Sequence, residues 1–368
     1  MQINQELRLA WRRLFRHLDP VLMGLIAALL TLSTLTVASA TSGAYLQGHL
    51  INMTVALAGM VLLSHLPPQR LIRFAAPLYV VGVLLLVGVA VAGDVVNGSR
   101  RWLHIGITRI QPSELMRLAV PMAMAAYLHY RHEALTTRHF ALAFLILILP
   151  ALLILRQPDL GTTLLIMASG FYVLFLAGLA WRVMAGLVLV MGAALPLAWN
   201  FVLHDYQKQR VLTLFDPGSD PLGAGYHIIQ STIAIGSGGF FGRGWGEGTQ
   251  ARLDFLPEGH TDFIFAVYSE EFGLLGNCVL LAIYAAIVLR GLSLSYNASG
   301  PFGRLLCGAI TLTFFTYAFV NMGMVSGILP VVGVPLPLVS YGGTSMVTVL
   351  LGFGILMSVA SNKSLVKT

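Results

Sequence analysis

Residues 253–273 read Leu253-Asp-Phe-Leu-Pro-Glu-Gly-His-Thr-Asp-Phe-Ile-Phe-Ala-Val-Tyr-Ser-Glu-Glu-Phe-Gly273, and they join the longest polar segment of the chain to an apolar run. Asp262 stands at the junction. A carboxylate at the mouth of an apolar helix is costly to dehydrate, so it is usually retained for a function. The alternative is that Asp262 is the N-cap or first-turn acid of that helix and stabilises its exposed amides. The two interpretations are compatible, since a capping acid can also be reactive.

The composition predicts a polytopic membrane protein. Of 368 residues, 57% are hydrophobic and 10% are charged, whereas soluble domains carry about 25% charged residues. We therefore expect an all-α fold in a single membrane domain, residues 1–368, with a long extracytoplasmic loop at about 204–261 between the seventh and eighth spans. Apolar runs long enough to cross a bilayer predict about ten transmembrane helices, near 21–40, 49–66, 74–93, 114–130, 140–155, 162–180, 183–203, 262–289, 303–329 and 343–360.

A broken helix is predicted near the C-terminus, where residues 321–343 contain three prolines and five glycines. Irregular backbone at membrane depth is tolerated where it is buried or lines a water-filled cavity. Together with the acids near Asp262, this segment predicts a site open to the outer face. Ser340 is expected either to line that cavity or to cap a helix.

The charge pattern predicts the orientation of the chain. With the N-terminus inside, the predicted inner loops carry 13 Lys and Arg residues and the outer loops carry 8, with Arg117 inside a span. Because cytoplasmic loops are enriched in Lys and Arg, both termini are expected in the cytoplasm. The same rule explains the net charge of +7, so no nucleic-acid partner is expected. The arginines that remain outside predict an anionic ligand on the outer face.

Two further clusters of polar residues lie next to predicted spans. Glu114 and Arg117 are three residues apart and share a helix face, which predicts either an internal ion pair or a polar cluster facing a cavity. Asp159 follows Pro158, which predicts either a tight turn with an Asx-type cap or a residue of the site. The two cysteines lie inside apolar runs, and neither a disulfide framework nor a metal site is expected from them.

Two strings resemble signatures of the SEDS family (shape, elongation, division and sporulation). They are Phe255-Leu-Pro-Glu-Gly-His-Thr-Asp-Phe-Ile-Phe265 and residues 321–343, and Arg156-Gln-Pro-Asp-Leu-Gly-Thr162 resembles a third. The resemblance extends along nearly the whole chain, and its Pro-Val-Val-Gly-Val-Pro-Leu-Pro core is more similar to the elongation branch than to the division branch. Lys is usual in the family where Arg117 stands, and Arg keeps the charge but changes the geometry.

The resemblance implies a peptidoglycan glycosyltransferase of the bacterial inner membrane, with Asp262 as its catalytic residue. It implies lipid II, the undecaprenyl-diphosphate-linked disaccharide peptide, as substrate and a class B penicillin-binding protein, a transpeptidase, as partner within the lipid bilayer. Asp262 would act as general base in a single inverting displacement. The residues expected to bind the substrate are Arg101, Glu114, Arg117, Asp159, Arg210, His260 and Ser340.

Charge that builds on the departing diphosphate needs a counter-charge. Arg101, Arg117 and Arg210 are the candidates, and the alternative is a divalent cation, Mg²⁺ or Mn²⁺, held by acids. No other cofactor and no protein metal site are expected. The sequence leaves open which residues bind the donor and which the acceptor lipid, and whether activity needs the partner.

Two other classes of function remain open at this point. A transporter or flippase of a lipid-linked precursor would place ionisable groups near the bilayer midplane, often within inverted repeats. In this chain the acids and arginines crowd the predicted outer side. A scaffold that activates a transpeptidase without chemistry of its own could keep the fold while losing the site, but this chain keeps Asp262.

Overall fold

The computed structural model describes residues 16–96, 99–105, 108–131, 135–201, 203–221, 223–252, 255–256 and 258–362. Most of these residues are helical. The helices are α1 (Pro20–Ala40), α2 (Leu46–Ser64), α3 (Pro68–Ala92), α4 (Pro112–His129), α5 (Thr137–Leu155), α6 (Leu160–Leu176), α7 (Trp181–Phe201), α8 (Asp205–Phe215), α9 (Ala224–Ser237), α10 (Thr249–Arg252), α11 (Ile264–Tyr296), α12 (Pro301–Val325) and α13 (Gly343–Ser361).

The helix boundaries follow local chemistry. Four long helices, α1, α3, α4 and α12, begin on a proline, because proline presets the helical φ and its missing N–H would be unsatisfied in the first turn. Asp19 precedes α1, and its carboxylate accepts a hydrogen bond from the backbone N–H of Leu22 at 2.9 Å, which caps the helix.

The all-α membrane fold is confirmed. Among the described residues, eight helices are long and apolar enough to cross a membrane, namely α1, α2, α3, α5, α7, α11, α12 and α13. The other two predicted spans correspond to α4, which carries Glu114 and Arg117, and to α6, which is apolar but has 17 residues. The total of ten spans stays a prediction.

A small antiparallel sheet accompanies the helices, and the sequence analysis did not predict it. Its strands are β1 (Asp94–Val96), β2 (Ser99–Ile105) and β3 (Thr108–Ile110), in the order β1-β2-β3. The sheet lies between α3 and α4 in the chain and contains Arg101. Tertiary context decides such short strands more than their own sequence does.

The interior is organised around three helices. In α4 most side chains are buried, and α12 and α13 are the most enclosed of the candidate spans. Two apolar clusters meet on α12 and α13, one shared with α1, α2 and α11 and the other with α3, α4, α5 and α6. A helix that is apolar all round is suited to such a central position. By contrast, α7 buries none of its described side chains, and its apolar surface is left exposed.

The segment between α12 and α13, residues 326–342, is irregular and largely buried, as predicted. A buried carbonyl needs a hydrogen-bond donor. Side chains of three helices supply donors to this segment: Ser33 Oγ to Val339 O at 2.8 Å, Tyr284 Oη to Pro337 O at 2.5 Å and Asn321 Nδ2 to Val334 O at 2.6 Å.

The predicted long loop at 204–261 is not structureless, since it contains α8, α9 and α10. Its glycine-rich part pairs with a break in α11 at Gly273, where φ is +63°. Leu274 N–H donates to Gly239 O at 2.9 Å, and Gly244 N–H donates to Glu271 O at 3.0 Å. A positive φ favours glycine, and the loop satisfies backbone groups that the break would leave unpaired.

Candidate active site

Asp262 lies in a tight turn that leads into α11, and its side chain is partly buried. The N-cap of α11 is Phe263, and no side chain caps this helix end. Asp262 is therefore not a hydrogen-bonding cap. Among the described residues, no side chain or backbone N–H donates a hydrogen bond to its carboxylate.

The backbone around Asp262 is held from two sides. Asn321 Nδ2 donates to the carbonyl oxygen of Asp262 at 2.8 Å. Ser340 Oγ donates to Thr261 O at 2.6 Å and accepts from Leu336 N–H at 2.7 Å. Ser340 thus joins the irregular segment to the Asp262 turn through backbone atoms, so that the carboxylate is fixed in position while its oxygens stay unoccupied.

The pKa of Asp262 is raised from 3.8 to about 6, chiefly by burial and then by the negative charge of Glu258, while Arg210 opposes the shift. Glu258 belongs to the same turn, accepts the Thr261 Oγ–H at 2.6 Å and has a positive φ of +56°. His227 of α9 stacks on Phe263 with ring centroids 5.2 Å apart. A carboxyl with a pKa near neutrality is suited to general base catalysis.

Arg101, Asp159 and Arg210 line one small cavity of about 50 Å³. Arg101 Nη1 lies 3.5 Å from Asp159 Oδ2, and its Nη2 donates to Pro158 O at 3.1 Å. The carboxylate of Asp159 also accepts from Thr162 N–H at 3.1 Å. Asp159 therefore caps α6, as the first of the two predicted alternatives has it, and it also belongs to a charged cluster.

Arg210 lies on α8, on the opposite wall of this cavity. Its Nη1 donates to Val331 O at 3.2 Å, and its guanidinium carbon lies 5.8 Å from the centroid of the Tyr206 ring. No described carboxylate lies within salt-bridge distance of it. The charge of Arg210 is consequently available to an anion, whereas Asp159 neutralises that of Arg101.

The irregular segment connects this cavity to Asp262. Pro330, Val331 and Val332 line the cavity. The next residue, Gly333, has a φ of +70°, and a Cβ atom there would lie 3.4 Å from Asp262 Oδ2. The carboxylate and the cationic cavity therefore border the same short stretch of backbone.

Glu114 and Arg117 form a buried ion pair, with 2.8 Å between Oε2 and Nη1. The guanidinium lies 4.3 Å from the centroid of the Tyr317 ring, and Nη1 lies 3.4 Å from Ser345 Oγ. Arg117 lines a separate cavity of about 40 Å³ between α4, α12 and α13. The structure thus supports the internal ion pair and does not bring the pair into contact with Asp262.

His260 is stacked on Tyr45, with ring centroids 4.9 Å apart and an interplanar angle of 6°. Its carbonyl oxygen accepts from Tyr341 N–H at 2.9 Å, and the Tyr341 ring lies 6.0 Å from that of His260. The imidazole packs in an aromatic cluster beside the turn. Its predicted role in binding substrate stays a prediction.

Sequence reasoning assigned no role to several residues of this site. They are Tyr206, His227, Glu258, Asn321 and Gly333. Asn321 and Gly333 lie in a string that was quoted for its irregularity, and a buried asparagine at the end of an apolar helix was the available signal. Tyr206 and His227 belong to helices that were treated as loop.

Comparisons with known proteins identify the family of this chain. The profile of the FTSW_RODA_SPOVE family, described as cell cycle protein, matches residues 13–365. The chain belongs to this family. It is the SEDS family that the sequence strings resembled, so that expectation is confirmed.

Curated relatives carry names of peptidoglycan glycosyltransferases. The chain is 46% identical over 367 residues to peptidoglycan glycosyltransferase MrdB of Escherichia coli (strain K12), covering 99% of both chains. It is 36% identical over 374 residues to the probable peptidoglycan glycosyltransferase FtsW of Alkalilimnicola ehrlichii, covering 98% of this chain and 92% of the relative.

Solved structures show the same fold. A chain from a peptidoglycan synthase complex, solved for the structural coordination of polymerization and crosslinking, superposes with a TM-score of 0.82 at 34% identity. It covers 94% of this chain and 98% of its own length. The rod shape determining protein RodA of Thermus thermophilus gives a TM-score of 0.72 at 30% identity, covering 94% and 97%. This SEDS protein is a multi-pass protein of the bacterial inner membrane.

Proposed function

We propose that this SEDS protein is the peptidoglycan glycosyltransferase of cell elongation that polymerises lipid II, with Asp262 as its general base. Glycosyltransferase activity is the function of its named relatives. The role of Asp262 rests on the state of its carboxylate. The backbone of Asp262 is held by Asn321, no described donor binds the carboxylate oxygens, and the pKa is raised to about 6.

The proposed reaction is a single displacement. The 4-hydroxyl of the acceptor sugar attacks the anomeric carbon of the donor, and Asp262 takes the hydroxyl proton. The new C–O bond forms as the bond from the anomeric carbon to the diphosphate oxygen breaks. The diphosphate leaves with that electron pair and needs no proton, so one carboxylate suffices, unlike in glycoside hydrolysis. The anomeric centre is inverted.

Of the three predicted arginines, Arg210 is best placed to stabilise the diphosphate. It lines the cavity next to the Asp262 turn, and no described carboxylate neutralises it. Arg101 lines the same cavity but is paired with Asp159. Arg117 is buried against Glu114 and Tyr317, and we assign it to holding α4 against α12 and α13.

A divalent cation on the diphosphate stays a prediction. The described residues contain no group of three or more His, Cys, Asp or Glu side chains that could hold a metal ion. Mg²⁺ is often bound by one or two carboxylates together with substrate phosphates, so the absence of a larger group does not decide the question. Addition of a chelator to the polymerisation assay tests this point.

The orientation of the chain is part of the proposal. Lys and Arg residues are more frequent in the loops predicted to be cytoplasmic, which supports termini in the cytoplasm and an Asp262 site on the outer face. The partner transpeptidase would then receive glycan strands on the side where it cross-links them. A peptidoglycan synthase complex is the setting of one structural relative.

The test compares wild type with Asp262→Asn, each purified with the partner transpeptidase and supplied with lipid II, and glycan chains are read on a gel. Loss of a general base is expected to lower the rate by about 10²- to 10⁴-fold, while the variant still folds, as thermal unfolding shows, and still binds the partner. Equal polymer from both proteins would contradict the role of Asp262. Polymer from neither would favour a transporter or a scaffold, with lipid II flipping in vesicles as the next measurement.

A further inference from the structure

Asn321 lies in the last turns of α12 and is fully buried. Its amide nitrogen contacts two backbone carbonyls that are far apart in the sequence. Nδ2 lies 2.8 Å from Asp262 O and 2.6 Å from Val334 O. Because both partners are acceptors only, the atom that faces them is the NH₂ group, and its two hydrogens are divided between the two carbonyls.

The other half of the amide is unsatisfied. Asn321 Oδ1 is buried and has no hydrogen-bond partner among the described residues. A buried acceptor without a donor costs about 1–3 kcal/mol. An apolar residue of similar size would avoid that cost but would leave the carbonyls of Asp262 and Val334 without this donor, so the asparagine is explained by what its NH₂ group binds.

The two carbonyls belong to the two strands of chain that enclose the Asp262 carboxylate. One precedes α11 directly, and the other follows Gly333, where an added Cβ would lie 3.4 Å from Asp262 Oδ2. Asn321 therefore fixes the distance between the Asp262 turn and the irregular segment, close to the Asp262 carboxylate. Ser340 joins the same two pieces of chain on the other side of the turn, through Thr261 O and Leu336 N–H.

We propose that Asn321 is a positioning residue that holds the Asp262 carboxylate against Gly333 by binding the carbonyls of Asp262 and Val334 at once. The inference rests on the proposed function, in which Asp262 is the general base. Asn321 does not contact substrate or the reacting atoms. It acts through the backbone of Asp262, so it should affect the rate of reaction more than the binding of lipid II.

Removing the amide should release the turn. A displacement of about 1 Å in a catalytic group can lower a rate by about 10²-fold. The released carboxylate also gains contact with water, which weakens the largest cause of its raised pKa. Glu258 on the same turn, Arg210 on α8 and His227 on α9 are the charged and titratable groups around it, and none is changed by the substitution.

The experiment uses full-length protein with its partner transpeptidase. Asn321→Ala and Asn321→Ser are compared with wild type, Asp262→Asn and the control Asn277→Ala. Asn277 is a partly buried asparagine of α11 that accepts from Ser269 Oγ at 3.0 Å and has no described hydrogen bond to the Asp262 turn or to the irregular segment. Lipid II polymerisation is followed for kcat, for KM and for the pH midpoint of the acid limb, and thermal unfolding is recorded for each variant.

We expect Asn321→Ala to lower kcat by about 10- to 100-fold with KM within about twofold of wild type, and to move the acid midpoint below that of wild type. Asn321→Ser keeps one donor, so its kcat and its acid midpoint should lie between those of Asn321→Ala and wild type. Asn277→Ala should match wild type in all three quantities. If Asn321→Ala fails to fold, Asn321→Ser carries the comparison.

The proposal is overturned if folded Asn321 variants keep both the wild-type kcat and the wild-type pH midpoint while Asp262→Asn is inactive. It is also overturned if kcat falls only in proportion to lost folded protein and the midpoint is unchanged, since that is the result of a structural role. If Asp262→Asn is itself active, the failure lies in the proposed function, and the two outcomes are therefore distinguishable.

Discussion

Asp262 and Glu270 lie eight residues apart, the first in the turn before α11 and the second within α11. Their carboxylates differ in burial and in hydrogen bonding. Glu270 is fully buried, and its carboxylate accepts from Thr249 N–H at 2.8 Å, Thr249 Oγ–H at 3.0 Å and Gln250 N–H at 3.2 Å. Asp262 keeps contact with solvent, and no described donor reaches its carboxylate.

The difference separates a structural acid from a reactive one. A buried carboxylate is tolerated when several hydrogen bonds replace its hydration, and those bonds also occupy the lone pairs that would accept a proton. Glu270 therefore joins the glycine-rich loop to α11. In Asp262 the described hydrogen bonds go to the backbone, and no described donor reaches the carboxylate oxygens, as the proposed general base requires. The sequence shows only that both are acidic residues of one stretch, which does not distinguish Asp262 from Glu270.

The largest expected effect on stability comes from removing the carboxylate of Glu270, which accepts the hydrogen bonds of Thr249 and Gln250. Glu270→Ala leaves the donors of Thr249 and Gln250 buried without an acceptor, and we expect a loss of about 3–5 kcal/mol in the free energy of unfolding, by analogy with broken buried charge contacts. Thermal unfolding measures it. Asp205→Ala, at a fully exposed acid of α8, is the control. Unchanged unfolding of Glu270→Ala would contradict the structural assignment.

A second prediction concerns the buried pair of Glu114 and Arg117. Arg117→Met leaves the Glu114 carboxylate without its cation, and we expect a loss of about 3 kcal/mol. Arg117→Lys keeps the charge but loses the planar contact with Tyr317 and the reach to Ser345, so a loss of about 1 kcal/mol is expected. Unfolding of both variants beside wild type checks the order. If Lys were as damaging as Met, geometry rather than charge would govern this site.

The third prediction uses the stability of Asp262→Asn. The native pKa is raised from 3.8 to about 6, so the native state binds the proton more tightly than the unfolded state. Stability is then lost as pH rises from about 4 to about 6, and the ionised carboxylate is destabilising above that window. Asn removes this cost, and we expect a gain of about 1–2 kcal/mol at pH 7.5, discounted because the side chain retains contact with solvent.

Unfolding of wild type and Asp262→Asn at pH 4 and pH 7.5 makes the comparison. The difference between the two proteins should be small at pH 4 and larger at pH 7.5. A gain that does not depend on pH would assign the effect to packing instead of ionisation.

The smallest expected effect is on the pH dependence of polymerisation. A general base must be ionised, so the rate should fall below a midpoint near pH 6. Glu258→Gln removes the second cause of the raised pKa, and the midpoint should move to lower pH while staying above 3.8, because burial remains. Rates from pH 5 to pH 8 test this. A shift to higher pH would contradict the placement of Glu258 beside Asp262.

Much of the fold follows from apolar runs and prolines. The predicted span 343–360 corresponds to α13 (Gly343–Ser361), and the predicted span 140–155 to α5 (Thr137–Leu155). The short sheet was missed, because two of its three strands have only three residues and leave too little periodic pattern to detect. So were α8 and α9, since a polar, amphipathic helix between turn signals resembles a loop when no packing partner is known.

The membrane class, the family and the acid that precedes α11 could be read from the sequence, because each depends on residues that are neighbours in the chain. Which acids accept hydrogen bonds from described donors, and which do not, depends on how distant elements pack. Arg210, Gly333 and Asn321 meet around Asp262 from three separate elements. Hydrogen bonds between residues as far apart as Asp262 and Asn321 depend on how helices pack, and no local pattern in the sequence encodes them.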